Sequence, residues 1–230
     1  MVKSQGINYQ IENTPEAAVL ILQLKPEQNI FIRTATLAAR DASIEIGKGI
    51  PTDDLSITPG FSSHSYLSIN EVQALKIPGS IYLSPDILGD IKHYQVTPEK
   101  GIIIQIFAFL ACSHNVQLRL LASSMIKQFS ERDSFFFHLV GIGELWASFY
   151  GNIQEILVED NYLIQVSYLV AFEDTLNYEI KSIEGLDAPG IHSGNLGNYN
   201  IFFHFQGQGK LWIQSRYRYA FLDFFAPFIH

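Results

Sequence analysis

The side chains best suited to chemistry in this sequence of 230 residues are seven histidines, one cysteine and a few adjacent carboxylates. His64 sits among Ser62, Ser63 and Ser65, and His192 precedes Ser193, so each places a hydroxyl beside an imidazole, as a nucleophile and its base would be. The run Gly60-Phe61-Ser62-Ser63-His64 lacks the Gly-x-Ser-x-Gly turn that presents a nucleophile, which leaves both histidines as loop groups able to meet a ligand. His138 and His204 occupy matching places in a repeated segment and could share a metal, but neither has a carboxylate or cysteine at ligand spacing, so no metal site and no cofactor is expected. Cys112 lies in an apolar segment without a neighbouring histidine or lysine and reads as a buried, inert thiol. Glu173-Asp174 and Asp53-Asp54 are adjacent pairs, and neighbours in a strand point to opposite faces, so neither makes an acid–base couple. No catalytic residue is assigned.

These residues must be positioned by strands, because the sequence repeats itself at strand-like intervals. Phe136-Phe137-His138-Leu139-Val140-Gly141-Ile142-Gly143-Glu144-Leu145-Trp146 recurs 66 residues later as Phe202-Phe203-His204-Phe205-Gln206-Gly207-Gln208-Gly209-Lys210-Leu211-Trp212, with seven of eleven positions identical. Gly79-Ser80-Ile81-Tyr82-Leu83 is a third copy of its second half. The other half of the unit runs from Lys25-Pro26-Glu27 to Ile44-Glu45-Ile46, then from Thr97-Pro98-Glu99 to Val116-Gln117-Leu118, then from Asp160-Asn161 to Tyr178-Glu179-Ile180. In this alignment Ile30, Ile102 and Ile164 share a face with Ile32, Ile104 and Val166, as half-buried strands require.

The glycines Gly79, Gly141, Gly143, Gly207 and Gly209 read as structural turns, since each Gly-x-Gly leads into a strand. Phosphate cradles need a following helix instead. Trp146 and Trp212 read as core or interface packing. Residues 47–75 and 181–198 read as irregular segments, and 121–134 as a short helix. The first copy begins in its second half and the last supplies only a first half. The strand 210–216 is therefore expected to pair near the N-terminal strands and close the body.

Composition narrows the function classes. A net charge of −8 has the wrong sign for a protein that neutralises phosphates, so no nucleic-acid partner is expected. A hydrophobic content of 47% supports a large core, and a single cysteine excludes an internal disulfide. The N-terminal apolar run is broken by Gln23 and Lys25, too soon to span a bilayer, which gives an expectation of a cytoplasmic protein.

The run Leu169-Val170-Ala171-Phe172-Glu173-Asp174-Thr175-Leu176-Asn177-Tyr178-Glu179-Ile180, followed by Gly207-Gln208-Gly209-Lys210-Leu211-Trp212-Ile213-Gln214-Ser215-Arg216, resembles the altered inheritance of mitochondria protein 24 family. The resemblance is best over 135–216. It implies an all-β, double-stranded β-helix-like fold related to the tryptophan RNA-binding attenuation protein and, in the mitochondrial branch of the family, a role in organelle membrane organisation, with no settled function in the bacterial branch. It brings no catalytic residues.

Beyond the last strand, 217–230 holds Phe221, Phe224, Phe225 and Phe228 at helical spacing, an aromatic face that must be buried on protein and an interface candidate. Peripheral membrane association is not favoured, with only Arg216 and Arg218 as nearby cations. The expectation is one all-β domain over 1–216, a double-stranded β-helix or β-sandwich-like body of three pseudo-repeats (halves near 25–46, 79–118, 141–180 and 201–216). A docking tail completes the chain. Functionally it reads as a non-enzymatic scaffold or adaptor that forms a homo-oligomer and can dock a protein partner. The alternative is a small-molecule-binding regulator with its ligand in the interior or at a subunit interface.

Overall fold

The computed structural model describes residues 6–49, 68–121, 136–183 and 201–217. About two thirds of them are in strands, and a single 3-10 turn, Thr34–Thr36, is the one helical element among the described residues. A first strand, β1 (Asn8–Glu12), precedes three sets of six. The first set is β2 (Val19–Leu24), β3 (Asn29–Arg33), β4 (Leu37–Arg40), β5 (Ile44–Gly49), β6 (Ile69–Ala74) and β7 (Gly79–Leu83). The second is β8 (Gly89–Val96), β9 (Ile102–Gln105), β10 (Phe109–Ser113), β11 (Val116–Leu120), β12 (Phe136–Gly141) and β13 (Gly143–Tyr150). The third is β14 (Ile153–Val158), β15 (Asn161–Gln165), β16 (Leu169–Glu173), β17 (Asn177–Ser182), β18 (Ile201–Gln206) and β19 (Gly209–Gln214).

Four antiparallel sheets result. Sheet I has the order β1-β2-β7-β4, sheet II β5-β6-β3-β10-β13-β8, sheet III β11-β12-β9-β16-β19-β14 and sheet IV β15-β18-β17. Sheets II and III are built identically: three strands of one set meet three strands of the next, joined by β3 against β10 and by β9 against β16. Sheets I and IV repeat the two halves of that plan, with β1 added to sheet I. Even the irregularities recur, since one β-bulge falls between Leu37 and Ala39, Phe109 and Ala111, and Leu169 and Ala171.

Three apolar cores lie between the sheets. Leu20, Leu22 and Leu24 meet Ile30, Ile32 and Val72 between sheets I and II. Val96, Phe109 and Leu145 meet Ile102, Ile104 and Leu139 between sheets II and III. Val158, Phe172 and Leu211 meet Ile164, Phe203 and Phe205 between sheets III and IV. Strands in the inner sheets are therefore covered on both faces, which explains the unbroken apolar runs Phe109-Leu110-Ala111-Cys112 and Leu169-Val170-Ala171-Phe172.

The structure corrects the sequence reading in three places. First, Ile69–Ala74 is not loop but β6, held between β5 and β3 as β12 is between β11 and β9; its Asn, Glu and Gln disguise a strand whose Val72 and Ala74 alone carry the alternation. Residues 47–49 likewise finish β5, and 181–182 finish β17. Second, Ile104, not Ile102, is the counterpart of Ile164, because they stand opposite Phe137 and Phe203. Val96 and Val158 are equivalent, opposite Gly143 and Gly209, and Ile104 follows Val96 by eight residues whereas Ile164 follows Val158 by six, so the third copy slips by two residues and each side chain keeps its face. Third, β19 pairs with β14 and β16, not with the N-terminal strands. Its neighbours come from its own set, as they do for β7 and β13, so chain closure through 210–216 is not made.

The expected 121–134 helix, the loops bearing His64, His192 and Asp53-Asp54, and the tail phenylalanines Phe221, Phe224, Phe225 and Phe228 lie outside the described residues, apart from Leu121. No helix among the described residues is long and apolar enough to cross a membrane.

Candidate functional site

The strongest polar constellation lies where edge strands β8 and β14 run past each other beside β19. Glu155 Oε2 accepts from Lys92 Nζ at 2.8 Å and from Trp212 Nε1 at 2.8 Å, and its Oε1 accepts from Lys210 Nζ at 2.7 Å. These bonds, that from Lys210 foremost and then that from Lys92, hold the Glu155 carboxyl down at about 2. The same carboxylate raises the Lys210 ammonium above its ordinary value. Lys92 Nζ stands 5.7 Å from the centre of the Trp212 ring and 5.9 Å from that of Tyr94, and the two rings meet edge to face at 4.6 Å. Burial drives the Tyr94 hydroxyl well above its usual range, so it stays protonated.

Lys100 Nζ approaches Glu173 at 3.3 Å, and the backbone N–H of Lys210 donates to Glu173 at 3.0 Å. Together these groups line a cleft of about 300 Å³ whose floor is aromatic and whose rim carries three lysines and two carboxylates. Its three lysines pair with its two carboxylates above two buried rings, so what it offers a small ligand is charge at the rim. It positions no nucleophile beside a base.

Histidines form a second pattern. His93 bonds Glu144 across neighbouring strands β8 and β13, and His204 Nδ1 bonds Glu179 at 2.8 Å across β18 and β17. His138 Nε2 bonds Asp174 at 2.8 Å, spanning β9, and His114 lies 3.1 Å from Glu71, spanning β3. Glu71 and His138 occupy the same place in successive repeats, as do His114 and Asp174, so the β3–β10 and β9–β16 junctions carry the same histidine–carboxylate contact with its two members exchanged. His138 and His204 do not share a ligand. Among the described residues no group of three or more His, Cys, Asp or Glu could hold a metal ion.

With this geometry in hand, the chain can be placed. A family model described as mitochondrial biogenesis AIM24 matches residues 9–216. The chain belongs to the AIM24 family. No curated protein sequence matches this AIM24 chain. Its fold is similar to the X-ray crystal structure of protein SPYM3_0169 from Streptococcus pyogenes, at 18% identity and a TM-score of 0.74, over 97% of this chain and 100% of that one. That likeness is one of fold.

Within the AIM24 chain the expected turn glycines divide into two kinds. Gly141 and Gly207 have φ of 128° and 100°, the left-handed region that glycine tolerates. Gly79, Gly143 and Gly209 instead open strands without positive φ, and a Cβ there would fall within 3 Å of Ile44, Val116 or Leu176. Trp146 and Trp212 pack in separate cores. Cys112 is fully buried, and burial pushes its thiol far above the ordinary value.

The Lys92–Glu155–Lys210 network was not legible beforehand, because its members are isolated charges on three strands. The repeat gave no signal for it either, since the buried Nε1 of the equivalent Trp146 has no hydrogen-bond partner.

Proposed function

We propose that this AIM24-family protein is a non-catalytic β scaffold that assembles with itself and serves biogenesis of the kind the family description names. The observation that carries this reading is the pair of half-sheets at the two ends of the chain. Sheets I and IV reproduce the two halves of the complete sheets II and III, yet among the described residues each stops at the strand where the inner sheets continue. An unpaired strand edge invites another strand. The histidine–carboxylate pairs support the same reading, since each ties strands together instead of converging on a common point.

The test is native mass spectrometry of the full chain with thermal melting against a panel of metabolites. A stable multimer whose melting temperature no metabolite moves is the expected result. A monomer at every concentration, stabilised in proportion to one metabolite, would replace the scaffold with a ligand-binding regulator. The cleft beside Tyr94 and Trp212 favours that second reading, and its ligand would then be a small molecule with a negative group facing Lys92, Lys100 and Lys210.

A further inference from the structure

We infer that copies of this chain join head to tail by backbone pairing of β4 in one copy with β15 in the next, a junction the chain already makes twice within itself. The inference rests on the scaffold reading and names its partner surface. In the first internal junction Ala111 faces Ile32 and Cys112 faces Phe31. In the second Ala171 faces Ile104 and Phe172 faces Ile103. Ala39 takes the place of Ala111 and Ala171: it follows the same bulge and pairs with Tyr82 as they pair with Trp146 and Trp212. Ile164 takes the place of Ile32 and Ile104. The templates therefore fix the register of the third junction, with Ala39 opposite Ile164 of the next copy and Arg40 opposite Leu163.

Both edges lack a second strand among the described residues, and no core there unites sheet I with sheet IV. Joining them would give the seven-stranded order β1-β2-β7-β4-β15-β18-β17. The side chains at the ends are exposed where their inner counterparts are covered. Leu163 is 45% exposed against 6% for Ile103, and Tyr82 is 40% exposed against 0% for Trp146 and 4% for Trp212. A large apolar side chain held in water at the position that is core in the other repeats points to a partner that supplies the same covering strands. A second copy is that partner, because each end of the chain is the template for what the other end lacks.

A competing reading is that β4 is a blunted edge, being short, bulged and marked by Arg40. The bulge does not block pairing, since β10 and β16 carry it and pair on both sides. Nor does Arg40 guard the edge, for its Nη1 folds along its own chain to donate to the Ile44 carbonyl at 2.6 Å.

Cysteine cross-linking of the full chain tests the register. Directly opposed residues of an antiparallel pair bring their Cβ atoms within roughly 4.5–5.5 Å, close enough for a disulfide to form with a small adjustment, and the native Cys112 is buried. The single variants Arg40→Cys and Leu163→Cys, mixed and oxidised, should give a mixed disulfide-linked dimer. The double variant should give a ladder of covalent multimers that reducing agent collapses. Both singles should keep the parent's circular dichroism.

A double variant that oxidises only within one monomer would overturn the inference, as it would mean the chain closes on itself. Multimers by native mass spectrometry with no 40–163 link would overturn this junction while leaving the scaffold reading intact. A monomer without cross-links would overturn both.

Discussion

Single residues in this protein act through the company that strand pairing gives them, and Glu155 is the clearest case. Three donors surround its carboxylate, and its value of about 2 lies below the ordinary 4.5. A depressed carboxyl contributes stability that is complete above the unfolded-state value and is lost as pH falls through the folded one. Glu155→Gln keeps the shape and the acceptor for Trp212 but removes the charge. Because the group is partly exposed, the expected loss at neutral pH is at most about 1 kcal/mol. The difference from the parent should shrink between pH 4.5 and 2, as urea unfolding at a series of pH values would reveal. A difference that persisted unchanged to pH 2 would mean the ion network contributes nothing. The sequence held Glu155, Lys92 and Lys210 in plain view, yet nothing in their spacing joined them, because three strands distant along the chain bring them together.

At the scale of elements, glycine is used for two unlike purposes that the letters Gly-x-Gly do not separate. Gly141 supplies a backbone conformation, whereas Gly143 supplies room: its added Cβ would sit 2.6 Å from Ser113 Cβ and 2.9 Å from Val116 Cγ2. Gly143→Ala should therefore cost about 1–3 kcal/mol by overpacking, although its backbone is ordinary strand. Gly47→Ala in β5, where the nearest atom lies at 3.4 Å, should stay within about 0.5 kcal/mol. Chemical unfolding midpoints of the two variants decide the matter, and equal midpoints would show that the packing argument is wrong. The strand pattern itself was legible wherever β-branched and aromatic residues alternated, as at Ile30-Phe31-Ile32 and Phe202-Phe203-His204-Phe205. It was illegible at Ile69–Ala74, which is a strand because β5 and β3 flank it, not because its residues favour one.

For the whole molecule, the consequence of joining copies is that stability becomes a property of concentration. Mass action makes each tenfold rise in chain concentration worth up to about 1.4 kcal/mol per interface formed. The melting temperature of the parent should rise with concentration, whereas that of a Leu163→Lys variant, which puts a cation where the inner junction buries Ile103, should not. Identical concentration dependence in both would remove β15 from the assembly. A head-to-tail contact of this kind either closes into a ring or continues as a filament, according to the rotation between copies.

By itself the sequence determined the all-β class, the threefold repetition and, where apolar residues alternate, which side chains enter the cores, because a strand's two-residue period writes burial directly into the order of side chains. Family membership was legible for the same reason, over the segment where the copies diverged least. What only the tertiary structure decided was which strand sits beside which: the place of β6, the two-residue slip of β15, the neighbours of β19 and the convergence on Glu155. Register along one strand is local, but adjacency between strands is set by long-range backbone hydrogen bonds that every residue type can make, and those leave no mark in the letters.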